Sequence, residues 1–180
     1  MTNTVHKRYD LVLFTIGHSN HSLDDFLELL RMHEISCLVD VRSIPYSSYH
    51  KDFSRENLQK ELRQRQVEYR WMGDSLGGKK EELTSSAGMR IDDSFYNDPN
   101  YHAGIIDVMR IALKKRMAIM CSEEDPRTCH RHNIIAKTLL RRIFPECHKL
   151  NDISVFHIRG DGRTEDAATI VVAIQKALPF

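Results

Sequence analysis

The residues most able to do chemistry are gathered in one segment, 117–131, which reads Met-Ala-Ile-Met-Cys-Ser-Glu-Glu-Asp-Pro-Arg-Thr-Cys-His-Arg. An apolar run too short for a helix ends at Cys121, an acidic turn follows, and Asp125-Pro126 predicts a helix with Asp as N-cap and Pro in its first position. On that reading Cys129, His130 and Arg131 fall in the first turn, where unpaired N–H groups and the macrodipole favour anions. A thiolate is stabilised there, and so is a bound phosphate or carboxylate. Cys129 is therefore the candidate nucleophile or redox thiol, with Arg127, His130 and Arg131 to lower its pKa. The alternative is a small cysteine packing the helix on a sheet.

Further candidates stand elsewhere in the chain. His18 and His130 are suited to proton transfer or to hydrogen bonding a substrate. Arg42 and Arg131 can each grip a carboxylate or phosphate in bidentate fashion, or form structural ion pairs with Asp40, Glu123 or Glu124. Gly17 and Ser19 can offer backbone and hydroxyl donors to an anion, while Gly77 and Gly78 permit close backbone approach. Ser43, Cys121 and Glu123 complete the expected ligand-binding set. A competing metal reading draws on Cys121, Cys129, His130, His18 and Glu123. Adjacent residues diverge by about 100° around a helix, which makes joint ligation by Cys129 and His130 awkward, so no metal site and no cofactor are assigned. His132, His148 and His157 read as incidental.

The elements that must position these residues alternate. Residues 11–16 and 37–41 read as short buried strands, because their apolar character is continuous. The first is followed by a helix capped by Ser22, with a stripe of Leu23, Phe26, Leu27 and Leu30; the second by a long loop and a helix from Ser54 to Gln66. Residues 67–72 alternate and suit an edge strand, residues 101–115 a helix, residues 153–158 the last strand, and Thr164 the cap of a C-terminal helix. Residues 79–100 read as a flap or a tolerated insertion. The rhythm predicts a single α/β domain over residues 1–180, with a mostly parallel central sheet and helices on both faces. Ligands in such sheets sit outside the carboxyl ends of the strands, so the loops carrying His18, Arg42, Gly77 and Cys129 should converge.

Composition narrows the function classes. With 26 Lys+Arg against 25 Asp+Glu the net charge is +1, which disfavours a sequence-blind nucleic-acid binder. Four widely spaced cysteines and a polar N-terminus predict a reducing, cytoplasmic setting without a disulfide framework. No apolar run approaches the roughly 20 residues that span a bilayer. The tripeptides Asn20-His21-Ser22 and Arg159-Gly160-Asp161 are accordingly read as chance matches to a sequon and an adhesion motif.

The segments Thr15-Ile16-Gly17-His18-Ser19, Leu38-Val39-Asp40-Val41-Arg42-Ser43-Ile44-Pro45, Leu76-Gly77-Gly78 and Cys121 to Arg131, with Phe53, His157-Ile158 and Asp161-Gly162, together resemble the family catalogued as domain of unknown function 488, over about residues 11–162. The resemblance implies an intracellular α/β domain whose signature residues are the loop residues above, with no activity generally assigned. The family often carries Arg near Ser48 and Tyr49; here His50 or Lys51 stands in as the nearby cation. A Val-Asp-Val-Arg segment beside a strand ending in Cys is also similar to rhodanese-like sulfurtransferases, by analogy alone.

The functional expectation is an enzyme, a thiol-dependent transferase or hydrolase, with an anion pocket for a small anionic or nucleotide-like ligand. Two alternatives are a non-catalytic domain that binds a nucleotide or nucleic-acid end in the same pocket, and a Cys/His metal site. Nucleic acid is not favoured as a partner, and no membrane contact is expected.

Overall fold

The computed structural model describes residues 10–46, 50–78 and 93–170. Its frame is one six-stranded sheet of order β3-β2-β4-β1-β5-β6. The strands are β1 (Leu11–Gly17), β2 (Cys37–Asp40), β3 (Glu68–Trp71), β4 (Met117–Cys121), β5 (Ile153–Ile158) and β6 (Thr164–Asp166). All neighbours from β3 to β5 run parallel, and only β6 returns antiparallel, pairing Phe156 with Asp166.

Alternation along each strand sends side chains to two different cores. Phe14, Ile16, Leu38, Ala118 and Met120 pack under Phe26 and Leu30 of α1 (Leu23–Met32) and Leu58 and Leu62 of α2 (Arg55–Gln64). Leu11, Leu13, Val39, Met117, Ile119 and Val155 face the opposite layer. A short α3 (Gly73–Leu76) precedes α4 (Pro99–Ala112) in the chain, and α5 (Lys137–Leu140) comes after β4. The opposite layer holds Tyr101, Ile105 and Val108 of α4, together with Ile134, Ile135 and Leu139. The expected open α/β sheet with helices on both faces is observed.

Local signals explain several boundaries. The Ser22 hydroxyl accepts from Asp25 N–H at 3.1 Å, and the Asp98 carboxylate accepts from Asn100 N–H with Pro99 in the first helical position. Ser54 precedes α2 as expected, but its hydroxyl donates back to Lys51 O at 2.6 Å and caps nothing. The C-terminal expectation needs correction. Thr164 does not cap a helix but begins β6, because the turn at Gly162, with φ of +82°, folds the chain back on β5. Helical residues begin at Ala167, and residues 171–180 lie outside the described residues. So do 79–92 of the expected flap; its remainder includes a 3₁₀ turn, Asp93–Asn97, that buries Phe95. No helix among the described residues is long and apolar enough to cross a membrane.

Candidate functional site

Register brings the site together. Gly17 pairs with Cys121 across β1 and β4, and Asp40 of β2 pairs with Met120, so three strands end side by side. The loop after β4 then folds over the end of β1. His18 N–H donates to Cys121 O at 3.0 Å and Ser19 N–H to Ser122 O at 2.7 Å. A Cβ on Gly17 would lie 1.8 Å from Glu123 O, so this glycine exists for the loop, not for a ligand. Ser19 adopts φ of +40° to make the turn, and its N–H is committed.

The helix expected from Asp125 is two pieces. Asp125 does act as N-cap, accepting from Arg127 N–H at 2.9 Å, but it caps a single 3₁₀ turn, Pro126–Thr128. Cys129 is extended, at φ −115° and ψ 142°, and the chain becomes helical again at His130. Cys129 O receives both His132 N–H and Asn133 N–H, at 3.2 and 3.0 Å, while Asn133 Nδ2 covers Arg127 O at 2.6 Å. Residues Arg131–Ala136 are wound as a π-helix before α5. Such turns often mark functional sites.

This break corrects the angular argument against joint action of Cys129 and His130. Because Cys129 occupies the cap and not the helix, His130 Nδ1 lies 3.9 Å from Cys129 Sγ and 3.6 Å from Cys121 Sγ. The two sulfurs and the ring nitrogen all fall within 4.8 Å of one another. Arg131 N–H approaches Cys129 Sγ at 3.5 Å, and Glu123 Oε2 lies 3.2 Å from Cys121 Sγ. Both cysteines are free.

The two thiols are driven apart in acidity. Burial opposes ionisation of Cys129, but hydrogen bonds from Cys121 and His130 and the charge of Arg131 outweigh it and hold the thiol well below its usual range. Cys121 moves up, through its hydrogen bond to Cys129, its burial and the charge of that neighbour. The pair is thus a Cys129 thiolate beside a protonated Cys121. Glu123 is held toward its ionised form: burial opposes this, but its own N–H and the Cys121 thiol, 3.2 Å from Oε2, offset the cost.

Arg131 sits differently from the expected substrate clamp. It is fully buried, with Nε donating to Thr15 Oγ1 at 3.2 Å, Nη2 to Glu124 O at 2.7 Å and Nη1 to Glu123 O. Its donors pin the loop, and its charge favours the ionised form of Cys129. Arg42 makes the structural ion pair instead of an open anion site. Nε and Nη2 engage the Asp40 carboxylate at 2.9 and 2.6 Å, and Nη2 also reaches Phe53 O. Tyr69 Oη donates to the same carboxylate at 2.7 Å.

Arg42 Nη1 lies 3.3 Å from His18 Nε2. Since a guanidinium can only donate, Nε2 accepts, and Nδ1–H donates to Ser19 O at 3.2 Å. Burial, then the charge of Arg42, lower His18 to about 4, so it is neutral, and it stacks on Phe53 at 4.5 Å. His18, Ser19, Arg42, Ser122 and Glu123 line one cleft of about 430 Å³ above the sheet edge, rimmed by the exposed Tyr46. Ser43, Gly77 and Gly78 gather farther along, toward β3, where Ser43 Oγ donates to Gly78 O at 2.8 Å.

Among the described residues, Cys121, Cys129 and His130 are those whose mutual distances suit a thiophilic metal ion; His18 and Glu123 do not join that set. A ligating imidazole normally donates its other N–H to an acceptor, and His130 Nε2 is buried with no hydrogen-bond partner among the described residues. An Nδ1–H directed at the sulfurs leaves only a bare lone pair there, which favours the thiolate arrangement.

Two histidines read as incidental are parts of the support. Thr15 Oγ1 and His157 Nδ1 are 2.7 Å apart, and His157 Nε2 and His132 Nδ1 2.9 Å, forming a buried chain behind Arg131. Burial keeps both rings neutral, His132 at about 4 and His157 lower still. A histidine inside the apolar run 153–158, in register with Thr15, is the signal that could have shown this. Arg159, set aside with its tripeptide, anchors the same loop by two bonds to the Glu124 carboxylate, at 3.0 and 2.8 Å.

The family described as domain of unknown function DUF488 matches residues 22–139. The chain belongs to this family. The stretch shared with DUF488 runs from the cap of α1 into α5 and includes the whole segment from Cys121 to Arg131. No curated protein and no solved structure matches the chain.

Proposed function

We propose that the protein is a thiol-dependent enzyme, a transferase or hydrolase, in which Cys129 is the nucleophile. The observation that carries this reading is the gathering of the Cys129 and Cys121 sulfurs and His130 Nδ1 within 4.8 Å of one another, with Arg131 N–H 3.5 Å from Cys129 Sγ, over a fully buried arginine. An electrophilic carbon presented from the cleft would be attacked by the thiolate, its bond to the leaving group breaking as that group takes up a proton from solvent, while His130 Nδ1, 3.9 Å from the sulfur, orients the nucleophile. Cys129 is 1 % exposed, so attack requires residues 122–125 to swing away from the end of β1.

The cleft supports a ligand recognised by neutral hydrogen bonding more than a phosphate gripped by arginines. Arg42 is balanced by Asp40, Arg131 is enclosed, and Ser19 N–H is engaged, while His18 is neutral and Glu123 contributes a carboxylate. A small polar, planar group, such as the base of a nucleotide-like substrate, fits these partners and the exposed Tyr46 ring.

Alkylation of the folded protein across pH, read by mass spectrometry at each cysteine, tests this. Cys129 is expected to react with an apparent pKa below the roughly 8.5 of a free thiol, and Cys37, pushed up to about 11 by burial, to remain protected. If Cys129 stays inert at every pH until the chain unfolds, the nucleophile assignment fails.

A further inference from the structure

We infer that Cys121 and Cys129 form a redox pair that a small hydroperoxide converts into a disulfide, reversibly silencing the site. The inference rests on the assignment of Cys129 as the thiolate of the proposed enzyme. What it adds is a second reaction, a reactant class and a role for Cys121 and Glu123.

The two sulfurs lie within 4.8 Å and neither is bonded elsewhere. A disulfide needs them about 2 Å apart. Cys121 is fixed by sheet register opposite Gly17, but Cys129 sits at the extended joint between the 3₁₀ turn and the π-wound turn, where a small rotation moves its sulfur without unwinding either piece. Size selects the reactant. With Cys129 1 % and Cys121 4 % exposed, a hydroperoxide scarcely larger than water needs a smaller displacement of the covering residues than a bulky electrophile does.

The Cys129 sulfur attacks the distal oxygen, the O–O bond breaks, and the leaving hydroxide takes up a proton to become water; Cys129 is oxidised to the sulfenic acid and the peroxide is reduced. Cys121 sulfur then attacks the sulfenyl sulfur, its proton passes through the Glu123 carboxylate 3.2 Å away to the departing hydroxyl, and a second water leaves. In sum, two thiols and one hydroperoxide give one disulfide and two waters, or one water and an alcohol for an alkyl hydroperoxide. A dithiol reductant restores both thiols and is itself oxidised. Cys37 and Cys147 lack this character: burial pushes both thiols up, Cys37 to about 11, and the Cys147 sulfur lies against that of Met109, at 3.8 Å.

The test treats the reduced, folded full chain with stoichiometric hydrogen peroxide, then maps non-reduced peptides by mass. The expected product links Cys121 to Cys129, formed on the order of ten-fold or more faster than any oxidation of Cys37 or Cys147, and is undone by dithiothreitol. In Cys121→Ser, a sulfenic acid at Cys129 should be trapped by a cyclic dione probe. The wild-type linkage keeps the inference falsifiable if that variant does not fold. If Cys129 alkylates at low pH while peroxide yields no linkage, the redox pair is overturned and the thiol enzyme stands. If Cys129 resists both reagents in the folded chain, both fall.

Discussion

Cys129 owes its character to neighbours that a linear reading could only partly supply. Arg131 was legible as a cation near the thiol; its orientation was not, because the π-wound turn points the guanidinium inward to Thr15, Glu123 O and Glu124 O. Replacing it with Met should move Cys129 alkylation back toward the ordinary range of roughly 8.5, since the charge that favours the thiolate is gone. The loop should loosen as well, each lost charge-assisted bond contributing about 1.5–3 kcal/mol to stability. Asp40 and Arg42 form the other buried pair, and Asp40 is 0 % exposed. Asp40→Asn leaves Arg42 uncompensated, and a loss of about 3–5 kcal/mol in a denaturant titration is expected. A variant as stable as wild type would show that the pair is dispensable to the fold.

At the scale of elements, the loop of residues 122–125 decides what the site can do. It is held on three sides: by the N–H group of Ser19, by Arg131 from within, and by Arg159 through Glu124. Gly17 lets it lie flat on β1. Gly17→Ala places a Cβ against Glu123 O, so the loop must lift, at a cost of about 1–3 kcal/mol. The informative readout is kinetic: iodoacetamide should reach Cys129 faster in this variant, even as the melting temperature falls. Unchanged alkylation would mean that the loop is not the cover. The two-piece helix belongs to this scale too. Asp125-Pro126 was a correct start signal, but nothing in residue types foretold that the turn would close after Thr128, because the break is held by Asn133 and by the shared acceptor Cys129 O.

The whole molecule carries its buried polar groups as a pH-dependent load. Burial and neighbouring cations depress His18 and His132 to about 4 from 6.5, and His157 lower. A group whose folded pKa is depressed gives its full stability above the unfolded value and loses it as pH falls through the folded one. Stability should therefore decline from about pH 6.5 toward pH 4, more steeply than one proton would produce, and Cys129, also depressed, acts in the same direction. At the alkaline end Cys37, raised to about 11 from 9, together with Tyr69, which burial raises further, makes stability fall as pH climbs past their ordinary values. Melting temperatures measured from about pH 4 to 10 should peak between these limbs; a flat acid limb would contradict the neutral buried histidines.

The chain's alternation of apolar strands, capped helices and polar loops determined by itself that a mostly parallel sheet forms and that candidate residues such as His18, Arg42 and Cys121 lie at the carboxyl ends of its strands, because those features depend on local periodicity and on the direction of strands. Cys129, His130 and Cys121 were legible as one cluster for the same reason: the loop joining them is short. Only the tertiary structure decided which arginine is enclosed and which is paired. It also decided that Ser19 N–H serves the loop instead of a ligand, and that His157 and His132 stand behind Arg131. Those outcomes come from strand order, with β1 between β4 and β5, and from hydrogen bonds between segments more than a hundred residues apart, such as Thr15 with His157 and with Arg131. Residue types constrain such pairings only weakly, since a buried donor accepts any partner that the packing brings within reach.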